Sequence, residues 1–308
     1  MVDVTPEEYR VPYIISYIVD PGEGPLLVVD PGPRCCTEML VEALERLEAA
    51  KRGVMVFVTH VHIDHSGAVG SLHRRLGDRL LTVHVHPRGK PHLEDTSKLW
   101  RASLDYLGEI ARLYGEPLPV PGRVLHATSD GEKHRVGGAV LEVLHTPGHA
   151  SHHQSLLLHT DGASILFPGD SAGMTCPLAD AVAPTTPPPL FLDLYVESLR
   201  RQMERKPTLV AYTHTGPAGP ETLSRHMEQI PRWLRALKPL AGEDGAPLSK
   251  ALEAVRREDP ETRRCLEAVE PLSRYLAAAV AHSVEGFLWS IRRGRLPQGM
   301  EVEGGASP

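Results

Sequence analysis

Up to His214 the chain alternates short apolar runs with helically patterned stretches, and beyond it the pattern is helical throughout. Gly53-Val-Met-Val-Phe-Val-Thr59 is apolar and rich in β-branched residues, the signature of a strand buried on both faces. Leu80 to Val85, Ala139 to Leu144, Ser164 to Leu166 and Thr208 to Ala211 read as further strands, and Tyr13 to Val19 with Leu26 to Val29 as a hairpin around Asp20-Pro-Gly-Glu-Gly24. Thr37 to Ala50 places Met39, Leu40, Ala43, Leu44 and Leu47 at helical spacing. Thr96 to Tyr114 does the same with Leu99, Trp100, Leu104, Leu107 and Ala111, and Ser66 reads as the N-cap of a helix to about Leu76. Residues 181 to 190 form a stiff Pro-rich connector. The last third predicts helices over Glu221 to Leu237, Leu248 to Arg257, Glu261 to Glu267 and Pro271 to Arg292.

Composition narrows the class. At 308 residues and 41% hydrophobic, the chain can form one large core domain and a smaller appendage. We expect a core over 1–216, a helical region over 217–296 and a flexible tail over 297–308. A net charge of -6 and the lack of a basic run argue against nucleic acid as a partner. No apolar run reaches the ~18 residues that span a bilayer, and the N-terminus lacks the charged and apolar regions of a secretory signal. The expectation is a cytoplasmic protein without membrane contact. Cys35, Cys36, Cys176 and Cys265 have no metal-binding or disulfide spacing, although Cys176 follows Asp170 by six residues.

The chemistry concentrates at Thr59-His-Val-His-Ile-Asp-His65, three imidazoles and a carboxylate in six positions after an apolar strand. These are the ligands of borderline and harder divalent ions. One such loop can serve two metal positions about 3.5 to 4 Å apart, as in two-metal hydrolytic sites. Three more donors follow apolar runs on Gly-containing loops: His149 in Thr146-Pro-Gly-His149, Asp170 in Phe167-Pro-Gly-Asp170, and His214 in Tyr212-Thr-His-Thr-Gly216.

In type and order this pattern resembles the metallo-β-lactamase superfamily, over roughly residues 12 to 216. The resemblance implies an α/β fold, a four-layer αββα sandwich, with a C-terminal helical region leaning over the metal site. It implies that His60, His62 and His149 hold one metal, that Asp64, His65 and His214 hold a second, and that Asp170 bridges them. Asp30 in Val28-Val-Asp30-Pro-Gly32 matches an early strand-end Asp that supports the ligands without binding metal. True β-lactamases commonly carry Cys where Asp170 stands, the nuclease branches add nucleic-acid-binding segments, and the flavodiiron branch adds a flavodoxin domain. What remains is the glyoxalase-II-like group of small-molecule hydrolases. His84-Val-His86-Pro-Arg-Gly-Lys-Pro-His92, Thr146 to His153 and Ala183 to Pro189 resemble a prokaryotic subgroup of metallohydrolases with no settled substrate.

The implied activity is hydrolysis of an ester, thioester or lactone by a metal-bridging hydroxide. Asp64 and Asp170 orient the nucleophile as catalytic residues, and Asp64 passes a proton to the leaving group. The cofactors implied are two divalent ions, zinc first, with iron and manganese served by the same donors. The alternatives are a mononuclear iron sulfur dioxygenase and a non-catalytic metal-binding protein, against which the intact ligand set weighs. Asp30, His153 and Tyr275 are candidates for ligand support or substrate contact, with His282 and Trp289 as further residues of the last helix. His84, His86 and His92 form a loose group with no assigned pattern, and His152 adjoins the His149 loop. The partner expected is a small-molecule substrate, with a homodimer through the apolar last helix as a further reading.

Overall fold

The computed structural model describes residues 1–242 and 247–298. Its strands form two six-stranded sheets and one two-stranded ribbon. The first sheet runs in chain order through β1 (Val2–Asp3), β2 (Ile15–Val19), β3 (Leu26–Val29), β4 (Val54–Phe57), β5 (Leu80–Val85) and β6 (Leu125–Ala127). Pairing is antiparallel from β1 to β3 and parallel from β3 to β6. The ribbon pairs β11 (Met174–Cys176) with β12 (Ala181–Ala183). The second sheet has β7 (Lys133–Val136) at one edge, followed by β8 (Ala139–His145), β9 (Gln154–His159), β10 (Ser164–Phe167), β13 (Leu209–Tyr212) and β14 (Gly216–Ala218). It is also mixed, because β10 and β13 run parallel while β7 to β10 alternate.

The chain divides into two compact units interleaved in sequence. The first holds Met1–His145, His152–Gly169 and Pro207–Pro217. In its first sheet, β3 and β4 are apolar on both faces because each face has a different partner. Leu26, Val28, Val54 and Val56 pack with Leu40, Val41 and Leu44 of the helix Thr37–Arg46 and with Val69, Leu72 and Leu76 of the helix Val69–Leu76. The alternate residues Leu27, Val29 and Phe57 pack against Leu141, Val143, Leu156, Leu158 and Phe167 of the second sheet. Each such side chain, fully buried, contributes about 1.5 to 3 kcal/mol.

The second unit holds Thr146–Ser151, Asp170–Lys206 and the chain from Ala218. It comprises the ribbon and the helices Leu192–Glu204, Glu221–Ala241, Leu248–Glu258, Pro260–Val269 and Arg274–Arg292. Trp233 packs on Phe287 at 4.9 Å between ring centroids. Asp259 begins its helix as an N-cap, accepting from the Thr262 amide, and its buried carboxylate also accepts from Gln229 and Trp233. Among the described residues, no helix is long and apolar enough to cross a membrane.

Several local expectations are corrected. Ser66 is not an N-cap: its hydroxyl donates back to Val61 and His62 carbonyls from inside a short helical turn, Ile63–Ser66. The helix expected over Thr96 to Tyr114 is two helices, Ser97–Leu107 and Glu109–Tyr114, broken at Gly108, whose φ of 58° lies in the left-handed region. The helix from Thr37 stops at Arg46 before a separate turn, Ala49–Arg52. The Pro-rich connector begins as a strand, because Ala181–Ala183 pairs with Met174–Cys176. Of the tail expected over 297–308, residues 299–308 lie outside the described residues.

Candidate metal centre

After β4 ends at Phe57 the chain bends at Thr59, is extended at His62 (φ -59°, ψ 147°) and turns helical at Ile63. The amides of His65 and Ser66 both donate to the His62 carbonyl, so Asp64 and His65 stand on a turn rather than on an open loop. This places all four donor residues within six positions.

Asp30 is the hub of this arrangement. It sits at the end of β3 with φ 48° and is fully buried. One carboxylate oxygen, Oδ1, accepts from the Thr59 amide at 2.8 Å. The other, Oδ2, accepts from Thr59 Oγ1 at 2.7 Å, from His65 Nδ1 at 2.8 Å and from Thr213 Oγ1 at 2.8 Å. A carboxylate is an acceptor, so His65 carries its proton on Nδ1 and presents the Nε2 lone pair. Thr59 uses its own proton on Asp30, so its oxygen receives the Nδ1 proton of His60 at 3.1 Å, and His60 likewise presents Nε2. Thr213 connects the same carboxylate to the strand end that carries His214. Tyr17, from β2, donates to the neighbouring Tyr212 carbonyl at 2.6 Å, and burial, then the charge of Asp30, pushes its phenol pKa well up.

The donors so prepared lie close together. Ligand atoms of Asp64, His65 and His214 all fall within 4.8 Å of one another. Asp64 Oδ2 is 3.8 Å from His65 Nε2 and 3.6 Å from His214 Nε2. Two donors about 2.1 Å from a shared ion lie roughly 3.4 Å apart at a tetrahedral angle, so a small contraction closes the set. Tyr13 stacks on the His214 ring at 4.3 Å. His60 Nε2 and His62 Nδ1 stand 2.9 Å apart with one proton between them. These two nitrogens could hold one ion between them in place of that proton. His153 is buried with its ring 4.9 Å from that of His60, where it backs that imidazole.

The second unit carries His149 and Asp170. Gly148 has φ 141°, and a Cβ there would lie 2.4 Å from the backbone nitrogen of Tyr195. Glycine alone allows this approach, which the Phe191 amide seals by donating to the Gly148 carbonyl. His149 Nδ1 donates to the Thr185 carbonyl at 2.8 Å, leaving Nε2 as its ligand atom, 3.6 Å from Asp170 Oδ2. Thr185 also donates its hydroxyl to Asp170 Oδ2 at 2.7 Å. One residue of the Pro-rich connector therefore orients both donors. That connector is held in turn by the last helix. Ser283 donates to the Pro184 carbonyl and accepts from the Thr186 amide, and a Cβ at Gly286 would lie 1.7 Å from the Thr186 oxygen.

The other sequence candidates have different surroundings. Tyr275 is half-buried, its hydroxyl accepting from Arg274, whose guanidinium lies over its ring. Trp289 packs on Phe191 and under Arg293. His282 is pushed toward the neutral form by burial. Cys176 turns its thiol to the Cys265 carbonyl, and all four cysteines are free thiols. The loose group of His84, His86 and His92 is dispersed: His86 pairs with His145 at 4.3 Å, His92 faces His152 at 6.1 Å, and His84 has other partners. Sequence reasoning passed over Thr59, Thr213 and Thr185. A signal existed for the first two, since each precedes a ligand in a Thr-His pair after an apolar strand.

Mixed sheets flanked by helices, with imidazole and carboxylate donors at strand ends, define an α/β metal-binding protein. The chain belongs to the metallo-beta-lactamase superfamily, whose sequence model matches residues 11–214, and it has that fold with a C-terminal helical region. Members of the superfamily are mostly metal-dependent hydrolases and bind metal ions, usually zinc. The metallo-beta-lactamase fold-containing protein ST1585 of Sulfurisphaera tokodaii is 32% identical over 177 residues, 57% of this chain and 65% of the relative. Its crystal structure superposes with a TM-score of 0.62 at 26% identity, covering 86% of this chain and 97% of that one. The human acyl-coenzyme A thioesterase MBLAC2 is 29% identical over 40% of this chain and 43% of its own length. A hydroxyacylglutathione hydrolase of Xylella fastidiosa is 29% identical over 52% and 45%. The matches thus span less than two thirds of the length of these curated relatives.

Proposed function

We propose that this chain is a hydrolase that uses two divalent ions, zinc first, to cleave a small-molecule ester, thioester or lactone. The observation that carries the reading is the tautomer control at the donors. His60 and His65 are pinned through Asp30 and His149 through Thr185, each with Nδ1 protonated and Nε2 turned out as a ligand. Structural histidines need no such common orientation. In this reading His60, His62 and His149 hold one ion, Asp64, His65 and His214 the other, and Asp170 serves both. The donor set fits, being imidazole and carboxylate throughout. When bound, such a pair supplies a water of lowered pKa and a Lewis acid for the carbonyl oxygen.

The chain's own residues do the rest. Asp64 has one oxygen toward His65 and His214, and in this reading it passes a proton to the leaving group. Asp170 is held by the Thr185 hydroxyl, which limits its rotation. Thioesters take first place in a substrate panel because two relatives are named for hydrolysis of acyl conjugates of thiols. Four free thiols suit a reducing compartment, and the cytoplasm is the proposed location.

The test is elemental analysis of protein purified without added metal, alongside hydrolysis of thioesters, lactones and esters by wild type, His62→Ala and Asp170→Ala. Two ions per chain with turnover that both variants lose supports the reading. Full activity and metal content in both variants overturns it, and a single iron with oxygen uptake on persulfides replaces it with the dioxygenase.

A further inference from the structure

A second group of imidazoles lies within the first unit and shares no residue with the proposed centre. His84 on β5 and His126 on β6 are register partners across the parallel pair, so their side chains leave the sheet on one side. His134, on β7, completes the group. Ring centroids are 5.0 Å apart for His84 and His126, 4.6 Å for His84 and His134, and 5.7 Å for His126 and His134. One nitrogen from each ring falls within 4.8 Å of the others.

The state of His84 is what turns proximity into a site. It is only 5% exposed, and neither of its ring nitrogens has a hydrogen-bond partner. Native structures rarely leave a buried polar group unsatisfied without a reason. Burial, followed by the nearby His134 and His126, pushes its pKa down to about 3, so at neutral pH it offers a lone pair. His126 is exposed at the rim, giving an ion a way in. Glu132 Oε1 lies 2.6 Å from His126 Nε2 and 2.7 Å from His134 Nε2, and it supplies negative charge beside the trio.

We propose that His84, His126 and His134 form a second metal site that takes one zinc-class divalent ion, with Glu132 orienting the His126 ring and adding negative charge beside His134. Three imidazoles form a donor set typical of zinc and of its substitutes cobalt and nickel. Bound there, the ion joins β5 and β6 of one sheet to β7 of the other and satisfies the buried ring of His84.

The experiment uses the full chain, stripped of metal and titrated with Zn2+ and Co2+ against a competing chelator, with bound ions counted by elemental analysis. His126→Ala and Glu132→Gln are the variants, since both positions are solvent-accessible and their loss leaves the core in place. We expect His126→Ala to bind one ion fewer per chain than wild type, and Glu132→Gln to hold that ion at least 10-fold more weakly. In a second background, His62→Ala with His214→Ala, the His84 ion should persist and give the visible spectrum of imidazole-bound Co2+. Equal stoichiometry and affinity in wild type and His126→Ala overturn the proposal. So does a background variant that is folded by circular dichroism and binds no ion.

Discussion

Replacing Asp30 by Asn tests whether one buried carboxylate organises the metal donors. Asn keeps the shape and tolerates the left-handed backbone at φ 48°, so only charge and donor–acceptor matching change. The new amide fits in neither orientation. With its NH2 in place of Oδ2, it meets Thr59 Oγ1, His65 Nδ1 and Thr213 Oγ1. The two hydroxyls can turn to accept, but the His65 N–H is stranded. Flipped, the NH2 faces the Thr59 amide, a donor that cannot turn. A stranded buried donor costs about 1 to 3 kcal/mol, and loss of charge assistance costs roughly 1 kcal/mol for each remaining bond. We therefore expect Asp30→Asn to lose about 3 to 5 kcal/mol in urea unfolding of chelator-treated protein. His65 can relieve the mismatch by moving its proton to Nε2, which blocks the ligand atom, so zinc affinity should fall at least 10- to 100-fold in chelator competition. Stability within 1 kcal/mol of wild type together with unchanged zinc affinity would refute the account of Asp30 as organiser.

His226 is fully buried and its pKa is depressed by that burial to about 4, while the unfolded chain binds the proton near 6.5. Below pH 6.5 the unfolded state therefore takes up more protons, and stability falls as the pH drops toward 4. This residue alone should remove about 2 kcal/mol between pH 7 and pH 5, and His226→Asn should flatten the profile by that amount in urea titrations at the two pH values. Gly286→Ala forces the last helix off the Thr186 carbonyl and should lower stability by at least about 2 kcal/mol; an unchanged melting temperature contradicts the close approach. Gly148→Ala drives the His149 loop away from Tyr195, and elemental analysis should find about one ion fewer per chain than in wild type.

The candidate donors stood out in sequence because each follows an apolar run, where period-2 burial stops and a loop begins. Asp30 was legible for the same reason, yet its partners were not. The Thr213 contact joins residues 183 apart and depends on how the two sheets face each other. Thr185 lies in a Pro-rich stretch whose composition shows stiffness but not where a carbonyl points. The grouping of His84 with His86 and His92 failed because adjacency in sequence says little along a strand, where His84 and His86 diverge to His134 and His145. Its partners follow from the β5–β6 register and from a strand in the other sheet. The Thr96–Tyr114 stretch shows the converse, since its apolar face continues through Gly108 while the backbone breaks there.

The strap from Pro184 to Thr186 bears on how this protein can be re-engineered. Exchanging the C-terminal helices for those of a relative is an attractive route to a new specificity, because in sequence they follow the last donor loop. Ser283 and Gly286 hold the same three connector residues whose middle member orients His149 and Asp170. A chimera joined at residue 217 would carry every donor and still lack the brace for two of them. Grafts should therefore transplant residues 181–190 and the last helix together, as one cassette.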